Sequence, residues 1–182
     1  MHGRQHGFTV LELLVAMVVA SIIFGIGVPS FAGMLAKQRV EGAASELQAQ
    51  LQQLRSQAIK KNSPIFLSFS VDGGNWSYGA NDAGACDPAV KGSCKVNGVE
   101  EVFAGDAWKG VSVSLSAGIA DNSLGFEPRR GMAIAPDGAI GSGTITLQSA
   151  AGKVEVNVSP IGYINICSPS GSGVTRYTAC SS

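Results

Sequence analysis

From Leu13 to Ala36 the chain runs for 24 residues without a formal charge, and Glu12 stands directly before that run as the one charge between Arg4 and Lys37. Coiled as a helix, such a run measures about 36 Å at 1.5 Å per residue, enough for a hydrocarbon core of about 30 Å. A buried core helix seldom stays apolar around its whole circumference for so long. A secretory signal peptide carries a shorter apolar stretch and a small-residue cleavage site. Here Pro29-Ser30-Phe31-Ala32-Gly33 leads instead into a polar helical pattern. The segment is therefore expected to span a membrane. A carboxylate at its edge is costly and calls for a partner, or at least for a route to the interface. Arg4 lies before the run and Lys37 and Arg39 after it, so charge alone says little about orientation.

Within the run, Pro29 lacks an N–H and presses its ring on the carbonyl of Gly25, which predicts a kink. Beyond Ala36 the pattern becomes amphipathic. Val40, Ala43, Ala44, Leu47, Leu51, Leu54 and Ala58 recur at spacings of three and four, and glutamines fill much of the opposite side. Glu41 and Glu46 fall early and Arg55, Lys60 and Lys61 late, as the helix dipole favours. Asn62-Ser63-Pro64 ends the pattern. One helix from about Phe8 to Lys61 is predicted, and its apolar stripe needs a sheet to cover it.

The remaining sequence supplies short strands. Ile65–Val71 and Trp76–Gly79 flank an Asp72-Gly73-Gly74 turn, and Val111, Val113 and Leu115 alternate with serines. Leu124 and Phe126 form another short pair, Thr144–Gln148 and Val154–Val158 face each other across Ala150-Ala151-Gly152, and Tyr163–Cys167 comes last. This order predicts an α+β domain, a long helix packed on antiparallel sheet.

Four cysteines admit three pairings. Pairing Cys86 with Cys94 and Cys167 with Cys180 would each staple a glycine- and serine-rich loop that has little core of its own. The Cys-x₂₋₄-Cys spacing of a structural zinc site is absent. Disulfides imply an oxidising compartment for the sheet domain, with Met1–Gly7 on the other side of the membrane.

No catalytic constellation is legible, and no cofactor or metal is called for. His2 and His6 both fall in the first seven residues, which leaves no histidine base beyond them. The carboxylates Asp82, Asp87, Glu100, Glu101 and Asp106 are scattered and lack the calcium-loop pattern. Lys+Arg and Asp+Glu are equal at 13 each, which argues against a phosphate-binding surface and against nucleic acid as a partner.

Gly7-Phe8-Thr9-Val10-Leu11-Glu12, followed by the long apolar run and Pro29, resembles the N-terminal signal of type IV pilins and type II secretion pseudopilins. The resemblance implies cleavage by a prepilin peptidase between Gly7 and Phe8 and N-methylation of Phe8. It makes residues 1–7 a leader peptide, 8–36 a transmembrane and assembly helix, and 37–182 a periplasmic pilin-like globular domain. Glu12 would then pair with the new amine at the N-terminus of a neighbouring subunit. Opposite charges attract strongly in a low dielectric, although desolvation offsets much of the gain.

Asn75-Trp76-Ser77-Tyr78-Gly79, Leu124-Gly125-Phe126 with Arg130-Gly131, Pro136-Asp137-Gly138 and Val158-Ser159-Pro160-Ile161-Gly162 are similar to landmarks of the family that contains FimU, FimT and GspH. A FimU-like minor pilin that primes pilus assembly near the fibre tip is the reading this favours, with a GspH-like pseudopilin of a type II secretion system as the alternative. Implied partners are other minor pilins, a major pilin or pseudopilins, prepilin peptidase, the inner-membrane assembly machinery and membrane lipid. The implied location is the inner membrane, single-pass, with the C-terminal domain in the periplasm. A DNA-binding minor pilin for DNA uptake is the less favoured alternative, since such relatives carry Gly-Arg-x-Arg at the last strand, where this chain has Gly162-Tyr163-Ile164-Asn165.

Overall fold

The computed structural model describes residues 9–72 and 74–180, and of residues 24–30 the backbone alone. The chain divides into two compact units, residues 1–35 and 36–182. Helix α1, Val10–Lys61, contributes to both. It starts at Thr9, whose side-chain oxygen accepts the Glu12 amide at 3.3 Å. Thr9-x-x-Glu12 has the spacing of a capping box, and this bond forms one half of it. The helix ends at Asn62, in left-handed conformation with φ of 52°. There the Asn62 and Ser63 amides donate to the carbonyls of Ile59 and Ala58, both at 3.3 Å. That is the Schellman pattern, with Pro64 preventing continuation.

The sequence reading is corrected in the first unit. Among the described residues, no helix is long and apolar enough to cross a membrane. The described side chains ahead of residues 24–30, Val10–Ile23, cover about 21 Å of helix at 1.5 Å per residue, short of the roughly 30 Å of a hydrocarbon core, and they include Glu12. The membrane-spanning half of the expected fold, and the single-pass inner-membrane location built on it, are withdrawn. The α+β architecture stands. The predicted kink at Pro29 concerns a side chain outside the described residues, as do Gly7 and Phe8.

In the second unit the strands are β1 (Ile65–Asp72), β2 (Asn75–Asn81), β3 (Lys95–Val96), β4 (Val99–Glu100), β5 (Val102–Ala104), β6 (Ser112–Leu115), β7 (Ser123–Phe126), β8 (Ala133–Ile134), β9 (Gly143–Ser149), β10 (Gly152–Val158) and β11 (Ile164–Cys167). They form a five-stranded sheet in the order β5-β2-β1-β7-β8, a four-stranded sheet β11-β10-β9-β6, and the small pair β3-β4. Each pairing is antiparallel. The register of β1 on β2 runs from Phe66 opposite Asn81 to Asp72 opposite Asn75.

The helical stripe Val40, Ala43, Ala44, Leu47, Leu51, Leu54 and Ala58 is buried throughout. It shares one core with Ile65, Leu67, Leu124 and Phe126 of one sheet and Ile145, Leu147, Val154 and Val156 of the other. Fully burying a side chain such as Val40, Leu47, Leu51 or Leu54 contributes on the order of 1.5–3 kcal/mol, so packing of the stripe, more than propensity, fixes the helix on the sheets.

Candidate functional site

Two regions bear on function: the exposed first half of α1, and the seams that tie its second half to the sheets.

In the first unit, Leu11, Leu13, Leu14, Val15, Met17, Val18, Ile22 and Ile23 are all more than half exposed. This is far more apolar surface than a soluble monomer usually presents, and such surface marks an interaction site. Glu12 is exposed as well, in the first turn of α1. Its amide is held by Thr9, so the backbone that carries the carboxylate is fixed by a cap, and a carboxylate in a first turn suits the helix dipole. Chemically this surface can pack against other apolar helices and offer one negative charge to a cation.

In the second unit three seams lock α1 to the sheets. Near its start, Glu41 is buried, and its carboxylate pairs with Arg176 at 3.5 Å. Tyr177 adds a hydroxyl bond to the Glu41 carbonyl at 3.3 Å and shares one with Ser45 at 3.0 Å. Both residues belong to the loop closed by the Cys167–Cys180 disulfide. Arg176, the cation that the sequence places in this loop, is thus engaged by the helix.

In the middle, Trp108 donates its indole N–H to Glu46 at 2.7 Å and lies on Gly42, where a Cβ would stand 2.5 Å from the ring. The buried Tyr78 phenol is pushed well above its ordinary value, first by desolvation and second by the Glu46 charge.

Near the end, the Arg55 guanidinium donates to the carbonyls of Gly131 at 2.9 Å and Ile161 at 3.4 Å. Gly131 and Gly162 have φ of 65° and 75°. A Cβ on Gly162 would collide with the Gly131 carbonyl oxygen. The Arg130-Gly131 and Ile161-Gly162 landmarks, 31 residues apart in sequence, therefore converge on one helical arginine. Sequence reading placed Arg55 as a dipole-matched residue of the last turns and missed this clamp. The paired glycines were the available signal.

A second disulfide joins Cys86 to Cys94. Between them and Val111 the reading foresaw no strand, yet β3 and β4 form a hairpin around Asn97-Gly98, both at positive φ. That dipeptide is a strong hairpin signal, and it was overlooked. Glu155 lies beside Cys167 and Cys180, a grouping that could suggest a metal. With the two sulfurs joined to each other, no thiolate pair is available there.

The family model for the type II transport protein GspH matches residues 43–162, and the prokaryotic N-terminal methylation motif matches residues 2–28. A search of curated proteins finds no match. Among solved structures, the type IV minor pilin FimU of Pseudomonas aeruginosa is similar in two crystal forms. In space group P21 it is 18% identical, with 75% of this chain and 96% of that chain covered and a TM-score of 0.53. In space group P65 it is 18% identical, with 73% and 98% covered and a TM-score of 0.49. The minor pseudopilin EpsH of the Vibrio cholerae type 2 secretion system is 11% identical, with 72% and 98% covered and a TM-score of 0.45. At such identities the first of these likenesses speaks to fold alone, and the other two carry no further weight.

Proposed function

We propose, from the premise that this chain belongs to the type II transport protein GspH family, that it serves as a minor pseudopilin of a type II secretion fibre. The role of the wider pilin and pseudopilin family is structural, in the assembly of a pilus or pseudopilus, and not catalytic. The observation that carries the finer reading is the GspH match itself, which spans about two thirds of the chain and includes the helix stripe from Ala43 on, the five-stranded sheet, strands β6, β9 and β10 of the second sheet, and the Arg55 clamp. This ranks the secretion role above the FimU-like minor pilin that the landmarks first suggested. That second reading is supported by Asn75–Gly79 and Val158–Gly162.

The first half of α1 is the assembly surface in this proposal. The methylation motif supports cleavage between Gly7 and Phe8 and methylation of Phe8 by prepilin peptidase. The amine so created on a neighbouring subunit is the cation that Glu12 is placed to meet, while the exposed apolar side chains beside it pack against neighbouring helices. Other pseudopilins are the partners.

The deciding experiment is in-cell cross-linking in the source organism, followed by mass spectrometry of the captured neighbours. Secretion pseudopilins as principal neighbours support the proposal, and pilins in their place would transfer the role to the pilus. Intact mass of the assembled protein should show loss of residues 1–7, one added methyl group, and both disulfides formed. An uncut chain in the fibre would refute the processing scheme.

A further inference from the structure

A cleft of about 510 Å³ opens in the second unit between Gly74, Asn75 and Trp76 at the start of β2 and the 3₁₀ turn Gly105–Trp108 that follows β5. Glycine-on-indole packing builds its walls. Gly105 lies on Trp76, where a Cβ would stand 2.5 Å from the ring. The Trp76 N–H is engaged by the Val111 carbonyl at 2.8 Å. Trp108, at the other end of the same turn, is oriented by Gly42 and Glu46. The single donor of each indole is therefore satisfied inside the protein. What Trp108, which is partly exposed, has left to offer the cleft is ring surface.

The rim is polar and uncommitted. Asn75, Asp106 and Lys109 line the cleft with exposed side chains. Among the described residues, none of these side chains makes a hydrogen bond or an ion pair. A carboxylate accepts from two adjacent hydroxyls, a primary amide both donates and accepts, and an ammonium donates. The opposite charges of Asp106 and Lys109 leave the rim without net charge. Gly110, at φ of 80°, has nothing within 4 Å of where its Cβ would be, so no side chain crowds this part of the rim.

We propose that this cleft binds a neutral, polyhydroxylated sugar ring, as part of an oligosaccharide. The C–H face of the ring would pack on Trp108, and its hydroxyls would bridge Asp106, Asn75 and Lys109. A few convergent polar groups over an aromatic floor are the usual make-up of a small-molecule site, and the volume falls within the ordinary range of about 300–1,000 Å³. This site is separate from the assembly surface on the first half of α1 and does not depend on which fibre the chain enters.

The test is a titration of the full chain in a polyoxyethylene detergent, which carries no sugar, with cellobiose, maltose and N,N′-diacetylchitobiose. Glucosamine and glucuronic acid serve as charged comparisons, and tryptophan fluorescence is the readout. At least one neutral disaccharide should give a saturable change with Kd of roughly 1 mM, weakened about tenfold or more in Asp106→Ala and in Asn75→Ala. Both variants should keep the parent unfolding midpoint, since neither side chain has a partner among the described residues. Trp108→Phe, which keeps a ring on Gly42, should weaken binding while the fold is retained. The proposal is overturned by the absence of any saturable change up to about 50 mM of each neutral disaccharide. It is equally overturned by binding indifferent to Asp106→Ala and Asn75→Ala, or by tighter binding of a charged sugar.

Discussion

Gly162→Ala tests how tightly the last turns of α1 are clamped. Gly162 has φ of 75°, and an added Cβ would meet the Gly131 carbonyl carbon and the Arg55 Nε at 3.0 Å each, besides colliding with the Gly131 oxygen. Left-handed conformation costs a residue with a Cβ about 1–2 kcal/mol. Forcing a methyl into a closed contact adds about 1–3 kcal/mol. If the Arg55–Gly131 bond is lost as the loops part, about 1 kcal/mol more goes with it. The sum is about 3–6 kcal/mol, a large share of the roughly 5–15 kcal/mol that holds a domain folded.

Gly138→Ala is the matched control. Its φ is 82°, and nothing lies within 4 Å of the added Cβ. Only the conformational cost should appear, about 1–2 kcal/mol. Urea denaturation followed by the fluorescence of Trp76 and Trp108 measures both variants. The difference between them, about 2–4 kcal/mol, isolates the packing at Arg55. Arg55→Ala should cut that difference, because the two sites share one contact. Equal losses for Gly162→Ala and Gly138→Ala would refute the clamp.

Three further outcomes are expected. Because burial raises the Tyr78 phenol, the folded state keeps its proton where the unfolded chain, titrating near pH 10, has lost it. Stability should therefore fall as pH rises above about 10, and Tyr78→Phe should flatten that slope; an unchanged slope would refute the burial argument. Removing the Cys86–Cys94 or the Cys167–Cys180 bridge by paired serine substitution should cost about 2.5 and about 2.9 kcal/mol, from their loops of 8 and 13 residues; denaturation midpoints equal to the parent would contradict this. Glu12→Gln should leave the denaturation of the second unit unchanged while lowering recovery in sheared fibres severalfold. Normal recovery would sink the pairing role of the carboxylate.

Much of the fold was legible because periodicity carries it. The stripe from Val40 to Ala58 repeats with the helix, and its burial follows from that repeat alone. Alternation likewise marked β9 and β10, whose register Thr144 to Asn157 and Leu147 to Val154 is set across a short turn. Short strands were harder. β5 and β8 have three and two residues, too few to show a period of two, and they exist because longer neighbours present them with unpaired edges. The membrane span illustrates the opposite error. Absence of charge was read over 24 residues as one continuous run, whereas the described helix satisfies no spanning criterion.

By itself the sequence determined the helix, its end at Asn62-Ser63-Pro64, the apolar face that requires a sheet, and the family signal from Gly7 to Glu12. These are local matters of backbone dihedrals, spacing and side-chain polarity. Only the tertiary structure decided that Arg55 would be held by the carbonyls of Gly131 and Ile161, 76 and 106 residues away, that Glu41 would take Arg176, and that two tryptophans would frame a cleft with an uncommitted polar rim. Such contacts depend on where loops return after each strand, and no residue carries that information until the sheets have closed around the helix.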